Sequence, residues 1–366
     1  MLSPTLSNKT LYKIRKLLPI EPNSKLFLPI IINPRNLENF LTLFPNQIVV
    51  SLPNYTVYSN CSKNQLVAKE LLNNKIEFNM DFFGLISKPP LENIEGIIII
   101  LPINLSLDLL NYALHQLSKL LNHSCSILVI SRNKKQNRTI LNWLEDNQLE
   151  FSRVKSQEKF LFNIPEFKPS TIMQSDFKDI IFKIKYKKDF GEIELFSSSG
   201  VFSKDKVDDG TDFLLVTIIN EKLIPENAEI IDYFAGVGVI GIVLSKFTSL
   251  KKVHFIESDV ISLFLLKKNM IHNQISNTVV HELDGLLKPG IPPKTVDFIV
   301  ANPPTHIKKD DFIKFLKISK TLLRDQGKLI IVINSIIPYE RTLKEYFPNP
   351  SNIILFKKGN YKIIIS

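Results

Sequence analysis

The chain has 366 residues, 44% of them hydrophobic, and carries 46 Lys and Arg against 36 Asp and Glu, a net charge of +10. This length and apolar content suffice for two buried cores, and the cationic excess, +6 in residues 1–170 and +4 in the remainder, fits a polyanionic partner. Two cysteines, Cys61 and Cys125, exclude a disulfide framework or cysteine-rich metal cluster and suit a reducing cytoplasm, and the longest apolar run, from Ile97 to the stop at Pro102, is too short to span a bilayer.

Residues 8–18 read as a short helix bearing Lys9, Lys13, Arg15 and Lys16, with no apolar region or small-residue cleavage site behind it to make a targeting peptide. Strands are expected at Gln47–Ser51, 95–102 and 126–130, and helices at 105–121 and 136–147. That alternation predicts a Rossmann-like domain. Only Gly84 and Gly96 of the twelve glycines precede residue 190, so this half lacks the glycine turn that brings backbone against a cofactor. It reads as a nucleotide-binding fold without its ligand.

Pro165, Pro169, Ser170 and Thr171 then interrupt the apolar patterning, which sets the expected domains at 1–168 and 169–366. Residues 179–186 and 192–197 follow as a hairpin. Lys183, Lys185 and Lys187 share one face of it. With Arg132, Lys134, Lys135 and Arg138 at the entrance of the 136–147 helix, they are candidate phosphate contacts.

A strand at 229–232 next runs through Asp232-Tyr233-Phe234-Ala235-Gly236-Val237-Gly238 into a helix ending at Phe247. Gly236 and Gly238 permit the sharp turn and close approach of a nucleotide-binding βα unit, although Phe234 stands where many methyltransferases have a first glycine. The strand Lys252–Glu257 ends in a carboxylate placed to hold a ribose diol, a helix covers 259–273, and a strand at 278–284 delivers Asp284 as an acceptor for an adenine amino group. A nicotinamide dinucleotide and S-adenosylmethionine both fit this skeleton. Asp232 favours the second, because it repels a pyrophosphate and suits the ammonium of a methionine moiety.

The strand Val296–Ala301 closes the pattern by delivering Asn302-Pro303-Pro304-Thr305-His306 at its carboxyl end, where open α/β sheets bind ligands. Two prolines hold φ at about −65° and remove two donors, leaving carbonyls to face a polar amine.

Joined to Ser199-Gly200-Val201-Phe202-Ser203, Asp208-Asp209-Gly210-Thr211, Asn334-Ser335-Ile336-Ile337-Pro338-Tyr339 and a closing Gly359-Asn360-Tyr361-Lys362-Ile363, these motifs resemble the ribosomal RNA small subunit methyltransferase C family. The resemblance covers residues 181–366 clearly and the first half by general plan. It implies an α/β protein of two tandem Rossmann-like methyltransferase domains, the N-terminal one degenerate and serving RNA docking, the C-terminal one a seven-stranded class I methyltransferase sheet. The implied activity is methyl transfer from S-adenosylmethionine to the exocyclic N2 amine of a guanine in ribosomal RNA of the small subunit, by a cytoplasmic monomer that binds ribosomal RNA or the small subunit and no membrane. Asp232, Gly236, Gly238, Glu257, Asp284 and Asn302 would hold the cofactor. Asn302, Pro303 and Pro304 would position the amine, Phe202, Thr305 and His306 would meet the base, and no metal is implied. Thr305 departs from the family, which carries an aromatic there to stack on the base; Phe202 and Tyr339 are candidate substitutes. Two other classes remain open at this point: a methyltransferase for adenine N6 or protein glutamine, which present the same planar amine, and a non-catalytic RNA-binding assembly factor.

Overall fold

The computed structural model describes residues 5–21, 24–29, 34–44, 46–52, 55–81, 93–102, 105–121, 123–157, 159–169, 180–287, 290–305, 307–336, 339–347 and 354–366. The chain divides into two compact units, Met1–Ile180 and Ile181–Ser366. Residues 170–179, between the expected 168/169 boundary and this division, lie outside the described residues. Pro165 sits inside an antiparallel strand that runs to Phe167, opposite a register shift between Cys125 and Ile127, a place where a residue without an N–H is tolerated.

The first unit runs α1 (Asn8–Leu17), β1 (Lys25–Leu28), α2 (Pro34–Leu43), β2 (Gln47–Ser51), α3 (Tyr55–Ser62), α4 (Gln65–Leu72), β3 (Ile76–Asn79), β4 (Ile94–Ile100), α5 (Leu107–Leu120), β5 (Cys125–Ser131), α6 (Lys134–Asp146), β6 (Ser152–Ser156) and β7 (Lys159–Phe167). Its seven strands are ordered β3-β2-β1-β4-β5-β7-β6. The central ones read as continuous apolar runs, Ile97 to Ile100 and Ile127 to Ile130, because helices cover both faces of a parallel sheet.

The second unit opens with a separate hairpin, β8 (Ile181–Lys188) and β9 (Gly191–Ser198), followed by α7 (Asp209–Asn220). Then come β10 (Glu229–Tyr233), α8 (Val239–Phe247), β11 (Lys252–Glu257), α9 (Val260–His272), β12 (Thr278–Glu282), β13 (Val296–Ala301), α10 (Lys309–Leu322), β14 (Leu323–Asn334), α11 (Tyr339–Tyr346), β15 (Ile354–Lys358) and β16 (Tyr361–Ile365). The order β12-β11-β10-β13-β14-β16-β15 repeats that of the first unit strand for strand, with β16 the antiparallel member. This is the seven-stranded class I methyltransferase arrangement, present twice.

In the second sheet the strand order reverses between β10 and β13, which pair in parallel with Tyr233 opposite Ala301. A crevice opens beyond the strand ends at such a reversal. The glycine turn leaving β10 and the Asn302-Pro303-Pro304 turn leaving β13 are therefore neighbours. Beneath them lies a core of Tyr233, Ile299, Ala301, Phe312, Phe315 and Leu316. The hydroxyl of Tyr233 donates to the Gly285 carbonyl, tying the segment after β12 to the sheet.

The first unit differs at the end of its corresponding strand. After β4, Leu101 stands where the second unit has Asn302, and it is buried. Buried Gln136 donates to the Pro102 carbonyl at 2.8 Å, so an acceptor at that strand end is satisfied from within.

Candidate functional site

The glycine turn is built around two carboxylates. Asp232 is fully buried in β10; its Oδ2 accepts the Gly241 N–H at 2.8 Å, while its Oδ1 is buried with no hydrogen-bond partner. Burial is the main cause that pushes its pKa well above the ordinary carboxylate value, and the nearby charge of Glu257 adds to it. Glu257, at the end of β11, accepts the Gly236 N–H at 2.7 Å through Oε2, and the Ser258 and Asp259 N–H groups through Oε1. The turn is thus fastened from both sides. Gly238 adopts φ +88°, and a Cβ there would sit 2.3 Å from Leu266 Cδ1, so only glycine fits; a Cβ on Gly236 would meet nothing within 4 Å, which marks the open side of the turn. Phe234 also adopts a left-handed φ of +61°, held by ring contacts to Tyr233 and Phe315. Asp284 lies two residues past β12, and its Oδ1 accepts the Leu286 N–H at 3.0 Å.

Asn302 is fixed by α7. The helix is capped by Asp208, whose Oδ2 accepts from the N–H groups of Gly210 and Thr211 at 3.0 and 3.1 Å. The same oxygen accepts from Asn302 Nδ2 at 3.0 Å, and Thr211 Oγ1 accepts from it at 2.9 Å. A carboxylate only accepts, so the amide nitrogen must face Asp208. Asn302 Oδ1 is therefore turned to the other side, where no hydrogen bond among the described residues engages it. The Pro303 carbonyl likewise receives none.

Asn302 and Pro303 border a cleft of about 110 Å³ lined by Phe202, Asp208, Thr305, Asn334, Tyr339 and Tyr361, among others. Phe202 is 68% exposed at this rim. Tyr339 is engaged elsewhere: its ring stacks on Phe312 with centroids 4.2 Å apart, and its hydroxyl donates to the Ile307 carbonyl. Tyr361 reaches the cleft because position 210 is glycine; a Cβ there would come within 2.8 Å of the ring. His306 lies outside the described residues. Pro304 and Thr305 are exposed beside Asn302. The arrangement offers acceptors to a planar amine, beside a turn suited to an adenosyl ligand.

Residues 192–365 match the methyltransferase small domain family. Over these residues the C-terminal unit is similar to that family. Across 180 residues the chain is 27% identical to "Ribosomal RNA small subunit methyltransferase C" of Haemophilus influenzae (strain PittGG), a match covering 47% of this chain and 50% of that protein. Across 179 residues it is 29% identical to the protein of that description in Hahella chejuensis, covering 47% and 48%. The chain spans about half the length of the curated relatives it matches. The fold of the whole chain is similar to that of "T. Thermophilus 16S rRNA N2 G1207 methyltransferase (RsmC) in complex with AdoMet and Guanosine", with a TM-score of 0.75, 17% identity, and coverage of 100% of this chain and 93% of that one. The similarity in fold thus extends over both units, whereas the similarity in sequence covers about half of the chain.

Two features of this unit were missed in the sequence. Asp208 and Thr211 appear there only within the motif Asp208-Asp209-Gly210-Thr211, with nothing local to connect them to Asn302. The hairpin lysines were read as a basic face, but Lys183 pairs with Glu194 at 2.6 Å, Lys188 with Asp212 at 2.7 Å, and Lys185 and Lys187 both approach Glu192. The pairing of β8 with β9 places Glu192 and Glu194 opposite the lysines, so the face carries both signs. In the first unit Lys134, Lys135 and Arg138 remain exposed at the start of α6. Among the described residues, no helix is long and apolar enough to cross a membrane, and no group of three or more His, Cys, Asp or Glu is placed to hold a metal ion.

Proposed function

We propose that the chain is an S-adenosylmethionine-dependent methyltransferase acting on the exocyclic N2 amine of a guanine in small-subunit ribosomal RNA. The observation that carries this reading is the fixed orientation of Asn302, whose nitrogen is held by Asp208 and Thr211 while its oxygen is left for an incoming amine. The relatives named as small-subunit methyltransferases and the solved complex with AdoMet and guanosine supply the substrate class.

The residues at the glycine turn fit the cofactor. The unpartnered buried Oδ1 of Asp232 matches an ammonium group, Gly236 leaves room for close approach, and Glu257 and Asp284 lie at the ends of the next two strands for ribose hydroxyls and an adenine amine. When bound, S-adenosylmethionine supplies an electrophilic methyl on a sulfonium. The protein's part is position. The lone pair of a guanine N2 is delocalised into the ring, and Asn302 Oδ1 with the Pro303 carbonyl draws on the two N–H protons so that the lone pair is directed at the methyl. Pro303 and Pro304 keep this turn stiff, and Thr305 borders it. No protein nucleophile is required.

The ring that stacks on the extruded base is Phe202, exposed at the cleft, since Tyr339 is already stacked on Phe312. Such stacking is worth roughly 1–3 kcal/mol, which offsets the threonine at 305. The first unit, with buried Leu101 in the place of Asn302 and the exposed cations of α6, acts as an RNA-docking scaffold in the cytoplasm.

The test is incubation of the protein with labelled S-adenosylmethionine and unmethylated small ribosomal subunits or free rRNA, followed by nucleoside mass spectrometry. Label in N2-methylguanosine supports the reading; label only in N6-methyladenosine, or none despite cofactor binding, refutes it.

A further inference from the structure

Asp208 has a second oxygen. Oδ2 carries three hydrogen bonds, from Gly210 N, Thr211 N and Asn302 Nδ2, whereas Oδ1 makes none among the described residues, and Asp208 lines the cleft beside Asn302. A carboxylate oxygen kept from a helix cap and adjoining the amine-binding acceptors presents an acceptor at a defined position. Guanine offers two adjacent kinds of donor on one edge, the N2 amine and the N1–H. Adenine offers an amine beside an N1 lone pair, which a carboxylate repels. A glutamine amide offers no second donor next to its amine.

We propose, building on the guanine-N2 reading above, that Asp208 is the residue that selects guanine, its Oδ1 accepting the N1–H while its Oδ2 orients Asn302 toward the N2 amine. One carboxylate then couples choice of base to placement of the reacting atom. The charge–dipole contact is lost with any base lacking the N1 proton, and a hydrogen bond to a charged group is worth about 10- to 100-fold in such discrimination.

The test uses the protein and single-stranded pyrimidine RNA oligonucleotides carrying a single purine: one guanosine, one 2-aminopurine riboside or one adenosine. 2-Aminopurine keeps the C2 amine and has an unprotonated N1. The wild type is expected to methylate guanosine about 10- to 100-fold more efficiently than 2-aminopurine, with adenosine inert. In Asp208→Asn the amide oxygen can keep the three bonds now made by Oδ2, which places an N–H donor where Oδ1 stood. The preference should then fall to near unity or invert toward 2-aminopurine, while S-adenosylmethionine affinity stays within about twofold. Equal use of the two bases by the wild type, or an equal loss on both in the variant, overturns the role of Asp208 and leaves the guanine-N2 reading intact. Failure of the wild type to methylate guanosine in these oligonucleotides, in free rRNA and in subunits removes the reading itself and the selection with it. The wild-type ratio needs no variant, so it decides the matter even where Asp208→Asn does not fold.

Discussion

Asn302 Nδ2 lies 3.0 Å from Asp208 Oδ2 across 94 residues of chain. The contact joins the cap of α7 to the turn after β13, so one carboxylate both ends a helix and decides which way an amide points. An amide left to solvent presents either end to a ligand. Here the carboxylate of Asp208, which can only accept, removes that freedom before any substrate arrives, and Thr211 Oγ1 at 2.9 Å is a second acceptor on the same nitrogen.

Thr211 should therefore matter for turnover more than for binding. Thr211→Val removes one of the two acceptors on Asn302 Nδ2 and keeps the volume, and a lost neutral hydrogen bond of about 1 kcal/mol predicts a three- to tenfold fall in kcat. Thr211→Ser should restore it. Steady-state kinetics with cofactor titrations check this, and an unchanged kcat in the valine variant would mean that Asp208 alone suffices.

Glu257→Gln weakens the bond that fastens Gly236 at 2.7 Å and those to Ser258 and Asp259. Bonds to a carboxylate are stronger than those to a neutral amide. The expected result is a loss of about tenfold or more in S-adenosylmethionine affinity by calorimetry, with a melting temperature little changed.

The fold was legible in the sequence wherever the information was local. The Gly236–Gly238 turn, the carboxylates ending β11 and following β12, and the Asn302-Pro303-Pro304 exit each rest on neighbours in the chain, and all came together at one edge of the second sheet. The short strands β1 and β3, four residues each, carry too little periodicity to be read. Pro165 signals a break on its own, yet antiparallel pairing at a register shift accommodates it, and the strand runs on to Phe167. The partner of Asn302 and the glutamates facing the hairpin lysines depend on which segments the fold brings opposite each other. No local pattern contains that.

Asp232 gives the ligand-free protein a distinctive pH dependence. Its folded pKa lies well above the 3.8 of an unperturbed aspartate, chiefly through burial. A carboxyl so raised holds its proton in the native state where the unfolded chain has already released it. Its contribution to stability is complete below the unfolded pKa and is lost as pH rises through the folded one, at a slope of up to about 1.4 kcal/mol per pH unit. Asp232→Asn abolishes that slope. Thermal melts from pH 4 upward should show the variant gaining on the wild type as pH rises, while cofactor affinity falls by about tenfold or more. Parallel curves would mean that the carboxyl does not titrate in that range.

The most direct test of the central claim is the effect of Asn302→Ala on methyl transfer and on cofactor affinity, measured on the same preparation with labelled S-adenosylmethionine and unmethylated small subunits. The account predicts transfer reduced by about 100-fold or more, as for removal of a single polarising group at a reacting centre, with S-adenosylmethionine affinity within about threefold of wild type. Transfer that persists at the wild-type rate, or transfer and affinity lost in equal proportion, would contradict the assignment of Asn302 Oδ1 to the amine.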